Sequence, residues 1–168
     1  MPGLVEGKAG LVTGSAGGIG RATALALARE GAAGVLVCDL ESRRDDGLQT
    51  VRLIEQEGGH AEFVAGDVSV EDDCRALVEH TVEAFGHLDF AHNNAGIELQ
   101  DTICGTNEAD FDRVIAVNLK GVWLGSSTRS RGCCRTAAAQ SSTPPRWPGS
   151  SPCRPWPPTS PASTASWA

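Results

Sequence analysis

Glycines near the start of the chain have the spacing needed to hold a phosphate group. Residues 13–20, Thr-Gly-Ser-Ala-Gly-Gly-Ile-Gly, follow a short apolar run and open an alanine- and leucine-rich segment. Glycine at position 14 permits a sharp turn, and glycine at positions 18 and 20 lets the backbone approach a pyrophosphate at the positive end of a helix. Any tight strand-to-helix turn favours glycine, so the pattern alone is a weak sign. The predicted ligand contacts are Gly14, Ser15, Ala16, Gly18, Ile19 and Gly20.

A carboxylate in the right place makes this turn more specific. Asp39 ends the apolar run GVLVCD, 19 residues after Gly20. At the end of a second strand, its oxygens can accept hydrogen bonds from both hydroxyls of an adenosine ribose. The same negative charge repels a 2′-phosphate. We therefore predict NAD rather than NADP as the cofactor, with Leu40 as a neighbouring contact. The alternative is that Asp39 only caps the following helix.

The elements that must position these residues alternate between strand and helix. Apolar runs predict strands at Lys8–Thr13, Gly34–Asp39, Ala61–Gly66 and Leu88–Asn93, and helical periodicity predicts helices at Gly18–Gly31, Asp45–Gly58, Glu71–Phe85 and Asn107–Leu124. Such alternation indicates right-handed βαβ units, so the predicted fold class is α/β, a Rossmann-type doubly wound parallel sheet. Ligands of this fold bind at the carboxyl ends of the strands.

Two of the predicted helices have an apolar face that should pack against the sheet. In the second helix this face is Leu48, Val51 and Ile54. In the fourth helix the residues predicted to face inward are Phe111, Val114, Ile115, Leu119 and Val122.

Four segments together resemble the short-chain dehydrogenase/reductase family. They are Gly14-x-x-x-Gly18-x-Gly20, Gly66-Asp67-Val68, Asn93-Asn94-Ala95-Gly96 and Val117-Asn118-Leu119, in the family's order and at its spacing. Each is unspecific alone, but the four together are highly specific. The resemblance covers residues 1–125 and implies an incomplete NAD-binding domain. It implies that Asp67 and Val68 face the adenine ring, that Asn94, Ala95 and Gly96 line the cofactor floor, and that Val117 also contacts the cofactor. The alternative for Asp67 is that it only forms a turn.

The resemblance also implies a chemistry that this chain cannot complete. Family members transfer a hydride between nicotinamide and the carbon of a small alcohol or carbonyl substrate, using a Tyr-x-x-x-Lys pair, a Ser and an Asn. Only the Asn has a counterpart, Asn118, and the chain contains no tyrosine. As hydride leaves, the substrate oxygen must lose its proton to a group of suitable pKa within hydrogen-bond reach. Lys120 follows Asn118 by two residues and is not the missing lysine, so we predict an inactive oxidoreductase.

Residues 126–168 have a different composition from the rest of the chain. They contain eight of the nine prolines and five arginines, but no acidic residue and no Leu, Ile, Val, Phe or Met. Such a segment cannot bury enough apolar area to offset the entropy of ordering it. We therefore predict a disordered C-terminal tail. Our hypothesis is that the tail is the family's own coding sequence translated out of frame, with the shift just after Gly125.

Synonymous codons exist that support a shifted frame. Read one nucleotide earlier, suitable codons for Ala139–Trp147 give Gly-Ala-Ile-Val-Asn-Thr-Ala-Ser-Val. Suitable codons for Pro157–Thr164 give Ala-Ala-Tyr-Ile-Ala-Ser-Lys-His. The latent Ser, Tyr and Lys then stand in the family's order and spacing. Because these codons were selected among synonyms, they show only that a shifted frame is possible. The nucleotide sequence of the gene decides whether the tail is out of frame.

Two other functions stay open, and several classes are excluded. The chain could be a non-catalytic dinucleotide-binding fragment, or its tail could be a proline-rich ligand, since Pro152–Pro155 and Pro155–Pro158 match PxxP spacing. The acidic body disfavours nucleic acid, and the absence of a long apolar run disfavours a membrane span. Six scattered cysteines without a CxxC pair predict a cytoplasmic protein without metal. The missing half should also remove the family's homo-oligomer interface and leave a sheet edge and a helix face uncovered.

Overall fold

The four predicted strands form one parallel sheet. The structure is a computed structural model, and it describes residues 3–128. The strands are β1 (Ala9–Thr13), β2 (Gly34–Asp39), β3 (Ala61–Ala65) and β4 (Phe90–His92). Their order in the sheet is β3-β2-β1-β4. The chain therefore builds outward from β1 to β3 and then returns to the other side of β1. This is a Rossmann-type α/β arrangement, in which a crevice opens where the direction of building reverses, between β1 and β4.

The helices lie close to where the sequence predicts them. They are α1 (Gly18–Arg29), α2 (Arg44–Gln56), α3 (Glu71–Phe85) and α4 (Glu108–Ile115). A 3₁₀ turn at Glu41–Arg43 precedes α2. After α4 the chain continues through a π-helical segment, Ala116–Gly121, and stays helical over 122–128. The first three residues of the predicted disordered tail, 126–128, are therefore helical, and the tail lies outside the described residues from position 129 onward.

The sheet is packed on both faces, and β1 and β2 are buried along almost their whole length. Val35 and Val37 point to the face covered by α1 and α2, where they pack with Val12 and Ile54. Leu36 and Cys38 point to the opposite face, where α3 contributes Leu77 and Val78. A parallel strand covered on both faces is apolar at every position rather than at alternate ones. The uninterrupted run that predicted this strand therefore reflects its place in the middle of the layers.

The inward face predicted for the fourth helix is wrong. Phe111, Ile115, Leu119 and Val122 are 56%, 38%, 65% and 39% exposed, and Val114 is only half-buried. The helix instead buries the face that carries Gly121, Leu124 and Thr128. A Cβ at position 121 would lie 2.9 Å from Cγ2 of Val68, so the glycine allows the helix to approach closely. Both the predicted face and the observed face of this helix could pack against the sheet, and the periodicity of the sequence does not distinguish between them.

A smaller correction concerns α2. Leu48 is 37% exposed, whereas Gly47, Thr50, Val51 and Ile54 form the buried face. A Cβ on Gly47 would clash with the ring of Phe63, so the helix lies close against β3 at that point. The spacing of apolar residues does not reveal Thr50, because a threonine is not counted among the apolar residues of a helix face.

The three cysteines among the described residues are free thiols in two different environments. Cys38 and Cys74 are buried, and Cys104 is exposed. Burial raises the pKa of the Cys38 and Cys74 thiols, and the neighbouring carboxylates of Asp39 and Asp73 raise it further. Within the part of the chain that the structure describes, no helix is long and apolar enough to cross a membrane.

These environments predict different thiol reactivities. Because the thiolate is the reactive form, we expect a maleimide at neutral pH to modify Cys104 while Cys38 and Cys74 stay unmodified. Mass mapping of the labelled peptides measures this. In urea, the same two thiols should become reactive, which serves as the control. Labelling of Cys38 in the native protein at the rate of Cys104 would contradict the packing described here.

Candidate functional site

A cavity of about 650 Å³ opens at the carboxyl edge of the sheet. Three loops form its wall, after β1, β2 and β3, together with the segment after β4 and the helix that follows. Most of the residues predicted from the sequence line it, namely Gly14, Gly18, Asp39, Leu40, Asp67, Val68, Asn94, Ala95, Gly96 and Val117. Segments that are far apart in the sequence therefore meet at one place, as expected for the ends of parallel strands.

The loop between β1 and α1 needs its glycines for two different reasons. Gly14 has φ +67°, and a Cβ there would lie 2.9 Å from Cα of Ala95. Gly20 is buried in the first turn of α1, where a Cβ would clash with the carbonyl oxygen of Gly14 and lie 2.7 Å from Nδ2 of Asn94. Only a residue without a side chain fits at either position. Neither Gly20 nor Ile19 lines the cavity, and the Ile19 side chain is 74% exposed.

Ser15 and Ala16 are fully buried and lie behind the cavity wall. The Ser15 hydroxyl donates to the Val12 carbonyl at 2.7 Å and accepts from the Cys38 N–H at 3.0 Å. The Ala16 N–H donates to Oδ2 of Asp39 at 3.0 Å. The structure thus places these two predicted contact residues where they fasten the loop to β2.

Asp39 stands at the end of β2 with its carboxylate at the cavity. Oδ2 accepts the hydrogen bond from Ala16, and Oδ1 accepts one from the Leu40 N–H at 2.9 Å. Each carboxylate oxygen can accept a second hydrogen bond, so both stay able to receive a ligand hydroxyl. Asp39 does not cap the following helix, because the N-cap residue of α2 is Arg43 and no side chain caps that helix.

The loops after β3 and β4 are held by their own hydrogen bonds. Oδ1 of Asp67 accepts from the N–H and the hydroxyl of Ser69, at 2.8 and 2.7 Å. The buried hydroxyl of Thr13 accepts from the backbone N–H groups of Asn94 and Ala95, at 3.0 and 3.1 Å. Nδ2 of Asn94 donates to the carbonyl oxygens of Thr13 and Gly14. The first and fourth strand ends are therefore tied together, which fixes the width of the crevice.

Asn118 lies in the π-helical segment and does not line the cavity. Its Oδ1 accepts from the Ile97 N–H at 2.8 Å, and its Nδ2 donates to the Ile97 carbonyl at 2.9 Å. The amide thus joins the helix to the segment after β4. A catalytic role for Asn118 stays a prediction.

The cavity also contains residues that the sequence analysis did not single out. Four charged or hydroxyl side chains belong to this group, Ser42, Arg43, Ser69 and Arg113. Arg43 lies over the glycine-rich loop, since a Cβ on Gly17 would be 3.5 Å from its Nη2. Its position just after the second strand, at the start of α2, was the only available signal.

The arrangement of these loops agrees with what comparison with known proteins finds. The family model for short chain dehydrogenases matches residues 8–135. This chain belongs to the short-chain dehydrogenase family. The family's members are oxidoreductases that use a nicotinamide cofactor, and the resemblance seen in the sequence is confirmed.

Individual relatives of the short-chain dehydrogenase family match the same part of the chain. An uncharacterized oxidoreductase of Thermotoga maritima is 44% identical over 119 residues, which cover 71% of this chain and 45% of that protein. The glucose 1-dehydrogenase of Gluconobacter oxydans is 42% identical over 120 residues, 70% of this chain and 44% of that enzyme. A crystal structure of a short chain dehydrogenase from Mycobacterium avium superposes with a TM-score of 0.75 at 38% identity, covering 82% of this chain and 50% of that one. The chain thus spans about half the length of the relatives it matches.

Proposed function

We propose that this domain binds NAD, in preference to NADP, through the adenosine and pyrophosphate half of the molecule. The observation that carries the proposal is the carboxylate of Asp39 at the wall of the cavity, beside a glycine-rich loop that opens a helix. We propose that, in a complete family member that shares this domain, the bound cofactor exchanges a hydride with a small alcohol or carbonyl substrate.

The residues present fit the adenosine half of a dinucleotide. A loop that excludes any Cβ at Gly14 and Gly20 leaves its backbone open to close approach by a diphosphate. The N–H groups at the start of α1 have no partner within the helix and carry its positive end. The cavity volume of about 650 Å³ lies within the ordinary range for small-molecule sites.

Each part of the wall has a distinct task in this proposal. When bound, the nicotinamide supplies or accepts the hydride. The glycine-rich loop orients the diphosphate, and Asp39 accepts hydrogen bonds from the ribose hydroxyls and repels a 2′-phosphate. Asp67 and Val68 contact the adenine, while Asn94, Ala95, Gly96 and Val117 support the middle of the cofactor. The chain supplies no tyrosine to take the substrate's proton, so we propose binding without turnover.

Titration calorimetry with NAD and with NADP tests the cofactor preference. We expect NAD to bind at least about tenfold more tightly, because a charge-assisted hydrogen bond is lost and a repulsion gained with the 2′-phosphate. Asp39→Asn should weaken NAD binding by about tenfold and reduce the difference between the two ligands. Glu55→Gln, an exposed charge on α2 away from the cavity, is the matched control and should change neither affinity. Equal affinities of the unaltered chain for NAD and NADP would refute the preference.

A further inference from the structure

Behind the glycine-rich loop, two side chains form a set of hydrogen bonds that does not touch the cavity. Thr50 of α2 is fully buried, and its hydroxyl lies 2.9 Å from the carbonyl oxygen of Ser15, to which it donates. The same hydroxyl accepts from Nε of Arg21 at 2.9 Å. Nη2 of Arg21 donates to the carbonyl oxygens of Ala16 and Asp46. We call Thr50 and Arg21 the loop brace.

The loop brace holds two consecutive carbonyl groups of the loop, those of Ser15 and Ala16. The peptides are trans, so each carbonyl points opposite to the N–H of the next residue. Drawing the Ser15 carbonyl toward α2 directs the Ala16 N–H the other way, onto Oδ2 of Asp39. Drawing the Ala16 carbonyl toward Arg21 likewise directs the Gly17 N–H away from the brace, and Gly17 lines the cavity.

The buried hydroxyl of Thr50 is unusual for its surroundings. It lies on the same face of α2 as Val51 and Ile54, which pack into the apolar core. A valine has nearly the same shape and would satisfy packing alone, but it would leave the Ser15 carbonyl and Nε of Arg21 without this partner. The hydroxyl of Thr50 therefore stabilises the glycine-rich loop through its hydrogen bonds and is not needed for packing of the core.

We propose that Thr50 and Arg21 are positioning residues for dinucleotide binding, acting through the Ser15–Ala16 peptide to orient Asp39 toward the ribose. The inference rests on the proposed binding of the adenosine half. It adds that ribose recognition by Asp39 depends on two side chains that never contact the ligand.

The test compares Thr50→Val with Thr50→Ser, using ADP and 2′,3′-dideoxy-ADP as probes for the full-length chain in NMR titrations. Because the hydrogen bonds to the Ser15 carbonyl and from Nε of Arg21 are lost, we expect Thr50→Val to weaken ADP binding about three- to tenfold, while Thr50→Ser stays within about twofold of the unaltered chain. The penalty should shrink to within about twofold for the dideoxy probe, which has no ribose hydroxyl for Asp39 to bind. The amide resonance of Ala16 should also shift in Thr50→Val and return in Thr50→Ser.

The outcomes separate the inference from the function on which it rests. If the unaltered chain binds both probes equally, the contact between Asp39 and the ribose is wrong, and the brace proposal fails with it. If the unaltered chain prefers ADP but Thr50→Val weakens both probes equally, the brace is only structural and the inference is overturned. Arg21→Lys, which keeps the charge but loses the forked contacts, provides the same comparison should the valine variant not fold.

Discussion

Inserting one nucleotide directly after the codon for Gly125 is expected to produce NAD-dependent dehydrogenase activity, if the tail is translated out of frame. Under this hypothesis, the insertion moves the downstream sequence into the frame that encodes the latent Ser, Tyr and Lys. A positioned group that takes the substrate's proton contributes about 10²- to 10⁴-fold to the rate of such a reaction. We therefore expect NADH formation with a panel of secondary alcohols to rise at least about 10²-fold above that of the present chain.

Two controls distinguish the effect of restoring the reading frame from the effect of adding the catalytic residues alone. An insertion of three nucleotides at the same site keeps the present frame and should leave the protein inactive. Thr159→Tyr combined with Ser163→Lys creates a Tyr-x-x-x-Lys pair in the present tail, but adds none of the surrounding family sequence that would position the pair. That variant should be inactive as well. Sequencing the gene is the sharpest check, because an alternate frame that does not encode Tyr and Lys removes the hypothesis.

Replacing Gly20 by alanine should abolish nucleotide binding. The new Cβ would overlap the carbonyl oxygen of Gly14 and lie 2.7 Å from Nδ2 of Asn94. Both contacts are with groups that fix the crevice, so the first turn of α1 must move away from β1. Overpacking of this kind costs about 1–3 kcal/mol of stability. We expect that loss in urea denaturation, together with about a 10²-fold loss of NAD affinity, because a displaced first turn of α1 loses about 3 kcal/mol of charge-assisted hydrogen bonds to the diphosphate.

Gly58→Ala is the matched control for this substitution. Gly58 follows α2 with φ +82°, and a Cβ there meets no atom within 4 Å. The substitution should cost about 1 kcal/mol from backbone strain and leave NAD affinity unchanged. If Gly20→Ala instead lowered stability without affecting binding, the glycine would serve packing alone.

Much of the fold was predictable because local signals agree with the packing. The apolar run of β2 marks a strand covered on both faces, and glycines at positive φ, such as Gly31 and Gly86, end the helices near the predicted points. The packed face of the fourth helix was not predictable, because the decision depends on how closely Gly121 approaches Val68. That contact joins segments far apart in the sequence. The exposed side of the same helix leaves Phe111 and Leu119 uncovered among the described residues, as expected for a half-sheet.

The site shows the same division between local and distant information. Glycine spacing and the place of Asp39 after a strand predicted the part of the cavity wall that follows β1 and β2, and the family resemblance implied the rest. The sequence could not show that Ser15 and Ala16 turn inward, because their orientation is set by Cys38, Thr50 and Arg21. Nor could it show that both polar atoms of the Asn118 amide are bonded to the backbone of Ile97. Hydrogen bonds between side chains and distant backbone have no periodic signature.

The strand order also determines when each part of the binding wall is built during synthesis. β1, β2 and β3 pair with neighbours in the sequence, whereas β4 pairs with β1 along Phe90–His92, next to a hydrogen bond between Ala9 and Asp89 that spans 80 residues. Short connections close faster than long ones, and chains fold from the N-terminus as they leave the ribosome. The glycine-rich loop, Asp39 and the loop brace all precede β3. We therefore expect the adenosine wall to form before β4 pairs with β1 and closes the crevice.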